Sequence, residues 1–223
     1  MGRLIGLVTI GQSPRRDGLV EEMSQVLGSG FEVILGGALD GLSKVEIHRM
    51  APEAGDYVLT SLLSDGSSIR FAKKHILVGL QRRIDEMNER HADVIALVCT
   101  GTFPKFTSRK PLVYPQTVIP NLVRGLAQQR KVGVVTPLPE QIEQEKAKWD
   151  DVGIDVVMTH ADPYGEPGLL ERACAELNEG HVDLVVLECF GHSLAMKERA
   201  RQLTGKPVVL ARSALARVLA ELA

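Results

Sequence analysis

An eleven-residue pattern occurs twice in this 223-residue chain. His91-Ala-Asp-Val-Ile-Ala-Leu-Val-Cys99-Thr-Gly101 is echoed 90 residues later by His181-Val-Asp-Leu-Val-Val-Leu-Glu-Cys189-Phe-Gly191. His, Asp, Cys and Gly coincide, and every place between Asp and Cys is apolar in both copies except Glu188. A second echo sets Ile5-Gly-Leu-Val-Thr9 against Val132-Gly-Val-Val-Thr136, at an offset of 127 residues. A duplication of this kind constrains the chain to two like units. The two offsets differ by 37 residues, which must be extra material in the first copy, placed within about residues 36–71.

Each copy opens on a continuous β-branched run, Leu4 to Thr9 and Lys131 to Thr136, the pattern of a strand covered on both faces. Further strands are expected at Phe31 to Leu35 and Ile154 to Thr159, at Val94 to Val98 and Leu184 to Leu187, and at Leu112 to Tyr114 and Val208 to Leu210. The first helix is expected to start after Ser13-Pro14, with serine as N-cap and proline in the first helical position, and to reach about Leu27. Others are expected at Lys73 to Arg90, Gln116 to Gln129, Pro139 to Asp150, Glu166 to Glu179 and Arg212 to Leu222. Strands alternating with helices of this length imply βαβ units and right-handed crossovers. The fold class is therefore α/β: two pseudosymmetric three-layer α/β/α lobes with mainly parallel four-stranded sheets. The first lobe spans residues 1–116, joined by the C-terminal helix 211–223, and the second spans 117–210. In the extra segment Tyr57 to Leu62 and Ser68 to Phe71 flank Ser64-Asp65-Gly66. Asp-Gly supplies the positive φ angles of a tight turn, so a β-hairpin insertion is expected, lying on the first lobe as a flap or a subunit contact.

Charge and composition narrow the partners. With 26 Lys+Arg against 28 Asp+Glu and no basic tail, the chain lacks the excess of cations that phosphate backbones demand, which excludes nucleic acid. No apolar run approaches the roughly 18 to 20 residues of a membrane span, and the N-terminus shows no secretory cleavage site, so no membrane partner and a cytoplasmic location are expected. The cysteines, Cys99, Cys174 and Cys189, are odd in number and far apart, which argues for reduced thiols over a disulfide frame. Homo-oligomerisation is left open.

In parallel α/β sheets ligands sit beyond the carboxyl ends of the strands, where loops converge and helix N-termini present unpaired N–H groups. Cys99 and Cys189 both stand at such ends. Cys189 is followed by Phe190-Gly191-His192-Ser193 and a helical stretch from about Leu194, a setting that favours thiolate over thiol. Cys99 precedes Thr100-Gly101-Thr102, whose glycine admits close backbone approach and whose hydroxyls can donate to an anion. Cys174 lies inside a helix with no glycine loop beside it and reads as packing. The loop Thr9-Ile-Gly11-Gln12-Ser13-Pro14-Arg15-Arg16 offers N–H groups, hydroxyls and a guanidinium to a carboxylate. Its repeat partner Thr136 either caps the following helix or donates to the ligand.

Two lobes related by a pseudo-twofold would set the two thiols on opposite walls of one cleft, as a carbon-acid racemase requires. A thiolate removes a proton from one face of a stereocentre and a thiol returns one to the other. Each sulfur must then come within about 3 to 3.5 Å of the carbon. N–H groups and hydroxyls would stabilise the carbanion or enolate. Other motifs are weaker. Gly6 to Ser13 mimics a phosphate loop but has Gln12 where a lysine is needed. Cys189-x-x-His192 has metal-ligand spacing with no second compact pair, so no metal is assigned.

Ile5 to Arg15, Ala51-Pro-Glu-Ala-Gly55, Leu97-Val-Cys-Thr-Gly101 and Leu187-Glu-Cys-Phe-Gly191 resemble the AroM family across nearly the whole chain. The resemblance implies a branch of the aspartate/glutamate racemase superfamily, with hydantoin racemases, maleate isomerases and arylmalonate decarboxylases. Those enzymes need no cofactor, have two pseudosymmetric α/β lobes and use one or two cleft cysteines. It therefore implies Cys99 and Cys189 as paired acid and base. The strand-end loops themselves offer Thr9, Gly11, Gln12, Ser13, Arg15, Thr100, Gly101, Thr102, Thr136, Phe190, Gly191 and His192 as candidate contacts for a small carboxylate or related carbonyl compound, His192 being either a displaced counterpart of the superfamily histidine or an N-terminal helix residue. Amino-acid racemases commonly follow the first cysteine with Asn-Thr and the second with Thr-His. Thr100-Gly101 and Phe190-Gly191 stand here instead, which argues against an α-amino acid. Two alternatives are carried beside the racemase: a cleft-cysteine decarboxylase or lyase, and a non-catalytic small-molecule-binding protein linked, as the family name suggests, to aromatic amino-acid metabolism.

Overall fold

The computed structural model describes residues 2–128 and 130–223. The end of the expected Gln116–Gln129 helix lies outside the described residues. Ten strands and eight α-helices are described. In the first half β1 (Arg3–Thr9), α1 (Leu19–Leu27), β2 (Phe31–Gly37), α2 (Lys44–His48), β3 (Val58–Leu62), β4 (Ser68–Ala72), α3 (Leu77–Glu89), β5 (Val94–Val98) and β6 (Leu112–Val113) lead to α4 (Pro115–Ala127). In the second, β7 (Val132–Thr136), α5 (Glu140–Asp150), β8 (Val156–His160), α6 (Leu169–Glu179), β9 (Leu184–Leu187), α7 (Leu194–Thr204) and β10 (Val208–Leu210) lead to α8 (Ala211–Leu222).

One sheet has the order β2-β1-β5-β6 and another β10-β9-β7-β8, with every pairing parallel. These are one order when β7 is matched to β1, β8 to β2, β9 to β5 and β10 to β6. The duplicated histidine and aspartate owe their recurrence to this geometry. His91 and His181 both take left-handed φ angles, 60° and 51°, where the chain turns out of a helix, a conformation histidine tolerates better than most side chains. Asp93 exchanges hydrogen bonds with Leu4, its N–H donating to Leu4 O (2.7 Å) and its carboxylate accepting Leu4 N–H (2.8 Å). Asp183 does the same for Lys131, at 2.8 and 3.1 Å. The echoed His and Asp are thus structural, and the echoed Cys and Gly are not explained by the strand starts.

The chain divides into two compact units. The first holds residues up to Cys99, Phe103–Pro115 and Ala216–Ala223; the second holds Thr100–Thr102 and Gln116–Leu215. The first core gathers Val8, Ile34, Leu80, Ile84 and Leu97, the second Val135, Cys174, Leu177, Leu187 and Leu210.

Three elements differ from expectation. The first helix does not start after Ser13-Pro14 but at Leu19. Ser13 turns both its N–H and its hydroxyl onto Asp40, each at 2.6 Å, so it caps nothing. Helix α2 is not expected from the sequence; it is short, and Ser43 and Glu46 close it with a capping box. The expected Lys73–Arg90 helix splits into a 3₁₀ turn, Lys73–His75, and α3. The hairpin β3–β4 is present in the expected place. Leu59 and Phe71 on its inner face are buried in the first core.

Candidate active site

Cys99 follows β5 directly, and Cys189 comes two residues after β9, the equivalent strand of the second unit. Both are partly exposed, whereas Cys174 is buried in α6. Burial, helped by the charge of Glu171, pushes the Cys174 thiol up to about 11. That sulfur is a packing group.

The turn after Cys189 is wound into a sulfur-facing loop. Gly191 N–H donates to Cys189 Sγ at 3.3 Å, and His192 N–H to Cys189 O at 3.1 Å. A hydrogen bond donated to sulfur favours the thiolate. Ser193 then caps α7 by accepting from Met196 N–H (3.1 Å). Position 191 must be glycine for room: a β-carbon there would collide with Tyr164 and Pro163. Phe190 is buried, and its carbonyl accepts from Nε (3.1 Å) and Nη2 (2.7 Å) of Arg212, a wholly buried guanidinium. His192 is buried with Nε2 3.1 Å from Ala161 O. Burial, reinforced by the charge of Arg212, holds its imidazole down to about 4, so it is neutral at neutral pH. It lines a cavity of about 410 Å³ with Leu169, Met196 and Arg199.

Behind Cys189, Glu188 turns its carboxylate to α5. Lys148 Nζ lies 2.5 Å from Glu188 Oε1, is ion-paired with Glu145, and donates to Thr100 O at 2.8 Å. Burial raises the Glu188 carboxyl to about 7 against the downward pull of Lys148. For Lys148 burial acts downward, but the charges of Glu188 and Glu145 prevail and carry it above its ordinary value.

In the first unit the loop after β1 is bonded chiefly to its own surroundings. Arg15 is buried and pairs with Asp17, while its Nη1 donates to Thr9 Oγ1 (3.3 Å) and Ser61 Oγ (3.5 Å). Gln12 Nε2 donates to Leu39 O and Leu42 O, at 3.3 and 3.2 Å, and its Oε1 accepts from Ser64 N–H and hydroxyl, at 3.0 and 3.2 Å. Gly11 passes so close to Leu62 O and the Ser61 hydroxyl that no side chain fits there. Thr136 is fully buried, its hydroxyl donating toward Leu138 O (3.1 Å) and Thr159 O (3.2 Å). After Cys99, Thr100 and Gly101 are buried while Thr102 is exposed.

The described family AroM protein matches residues 5–223. The chain belongs to the AroM family. Among curated proteins no relative matches. Solved structures share the fold at low identity. A maleate cis-trans isomerase from Nocardia farcinica, bound to TRIS, superposes with a TM-score of 0.67 at 17% identity, covering 99% of this chain and 92% of that one. Unliganded arylmalonate decarboxylase gives 0.64 at 14%, covering 99% and 92%. Picrophilus torridus aspartate racemase gives 0.63 at 13%, covering 99% and 94%. The fold of this AroM family member is thus one shared by racemases, isomerases and decarboxylases. Among the described residues no helix is long and apolar enough to cross a membrane, and no group of three His, Cys, Asp or Glu is placed to hold a metal ion.

Sequence reasoning missed Arg212, Lys148 and Asp40. Arg212 and Lys148 sit in helices with unremarkable periodicity. Glu188 did carry a signal, as the single polar intruder in the duplicated apolar run.

Proposed function

We propose that this AroM family chain is a cofactor-independent racemase or isomerase acting on a small carboxylate or related carbonyl compound, with Cys99 and Cys189 exchanging roles as proton acceptor and donor. The observation that carries the reading is positional. Two part-exposed thiols stand at one register of a duplicated motif, at the carboxyl ends of equivalent strands, while the third thiol is sealed in a helix. The Gly191 N–H on Cys189 Sγ supports the thiolate such chemistry starts from. The carbanion or enolate that such chemistry forms requires hydrogen-bond donors beside the reacting carbon. His192, buried and neutral, holds the Cys189 turn against Ala161 rather than carrying a proton.

The test is deuterium incorporation at the substrate carbon in D₂O, followed by NMR over a panel of carboxylates with a C–H next to the carboxyl carbon, beginning with aspartate and an arylmalonate, for which two of the fold relatives are named. Exchange is expected with at least one carboxylate, falling about 10²- to 10⁴-fold in Cys99→Ser and in Cys189→Ser, the range a positioned acid–base group supplies. Carbon dioxide release that tolerates loss of one cysteine points instead to decarboxylation. Undiminished exchange in both serine variants removes the thiols from the mechanism.

A further inference from the structure

The Glu145–Lys148–Glu188 cluster is an expensive thing to bury. All three side chains are at most 9% exposed, and two carboxylates face one ammonium, so the fully ionised cluster carries a net negative charge. Buried ion pairs of this kind seldom add stability over an apolar replacement, because desolvation offsets their attraction. The apolar run shows what the alternative looks like: the position equivalent to Glu188 in the first copy is Val98. A buried charge cluster where the first copy has an apolar side chain points to a role other than holding the core together.

The placement supplies one. Lys148 Nζ is bonded to the carbonyl of Thr100, the residue after Cys99, and to the carboxylate of Glu188, the residue before Cys189. One cation is thus tied to the immediate chain neighbour of each thiol. The groups facing Glu188 are Lys148, Glu145 and Trp149, all carried by α5. We propose, on the two-thiol reading above, that Lys148 is a shared positioning residue, fixing the backbone beside Cys99 and Cys189 and biasing both sulfurs toward the thiolate with its charge. Glu145 holds the ammonium in place and tempers that charge. A nearby cation lowers a thiol's proton affinity, and an extra anion raises it.

The experiment is iodoacetamide alkylation of the full-length chain from pH 5 to 10, with each cysteine followed by peptide mass spectrometry. Cys174 reports folding, since a buried, high-affinity thiol reacts only when the chain opens. In Lys148→Met the reaction midpoints of Cys99 and Cys189 are both expected to rise by about one pH unit, which makes alkylation near pH 7 about tenfold slower. In Glu145→Gln, which keeps the cation and removes an anion, both midpoints are expected to fall. Shifts of opposite sign are the signature, because a general loosening moves both variants the same way. Midpoints unchanged in folded variants, shifts of one sign, or a shift confined to one thiol each overturn the proposal. Should Lys148→Met fail to fold, Glu145→Gln decides alone. Wild-type Cys99 and Cys189 as unreactive as Cys174 sink the two-thiol reading itself; reactive thiols indifferent to Lys148 and Glu145 sink only this inference.

Discussion

At His192 the cost of burying an imidazole is visible as a proton affinity depressed from the ordinary 6.5 to about 4. The folded chain therefore resists protonation that the unfolded chain accepts. Its contribution to stability is whole above about pH 6.5 and is lost as the pH falls through the window to 4, amounting to about 3 kcal/mol at the acid end. Glu188 works in the opposite direction. Its carboxyl is raised from 4.5 to about 7, so the stability it contributes is present below 4.5 and fades as the pH climbs to 7. Comparing one variant with the wild type isolates the histidine. In His192→Asn, whose amide can still donate to Ala161 O, urea denaturation at pH 7 and pH 4.5 should show an acid loss smaller than the wild type's by about 2 kcal/mol. Parallel losses in the two proteins would show that His192 titrates freely. Residues of this sort are poorly legible in sequence. Cys99 and Cys189 stood out because duplication placed them twice, but nothing local marks His192 as buried, and Arg212 reaches Phe190 across 22 residues.

Among the elements, the hairpin β3–β4 shows how an insertion becomes part of a core. Its existence was legible, since Asp65-Gly66 between β-branched runs is a strong turn signal. Its attachment was not, because the contacts that hold it are side chain to backbone and distant in sequence. Gln12 binds the turn at Ser64 and the segment at Leu39 and Leu42 together, and Gln12 N–H donates to Leu62 O at 3.0 Å. The same attachment explains the late start of α1: a segment engaged with Asp40 and the hairpin is not available to begin a helix. Gln12→Ala removes four side-chain hydrogen bonds in a half-buried site. A loss of about 1 to 3 kcal/mol is expected, the desolvation penalty of donors and acceptors left without partners. Hydrogen exchange should locate it: the amides of residues 62–66 are expected to exchange about tenfold faster or more, while those of β7 and β9 in the second unit keep their rates. Uniform acceleration across both units would mean that Gln12 acts on global stability and clamps nothing.

For the whole molecule, the division into two like sheets was readable from the repeat alone, because one strand order satisfies both copies. The division of residues was not. Thr100–Thr102 belong with the second unit, and the bond that shows it, Lys148 to Thr100, spans 48 residues. Local periodicity carries no trace of such a pairing. The same separation between local and long-range information bears on function: the proposed proton chemistry rests on two thiols that the repeat marks, whereas the substrate of such a site is set by groups the sequence leaves scattered. A global readout addresses that gap without assuming turnover. A ligand at 100 times its dissociation constant stabilises the folded state by about 2.7 kcal/mol, which for a chain of this size raises Tm by roughly 5 to 10 °C. A carboxylate that supports exchange should produce a shift of that order, and Cys99→Ser and Cys189→Ser should keep most of it, since a hydroxyl preserves the shape of the site while withdrawing the proton chemistry. Exchange lost with the shift retained assigns the thiols to catalysis. A shift abolished in the serine variants assigns them to binding, and the proton-transfer mechanism then has no acid or base.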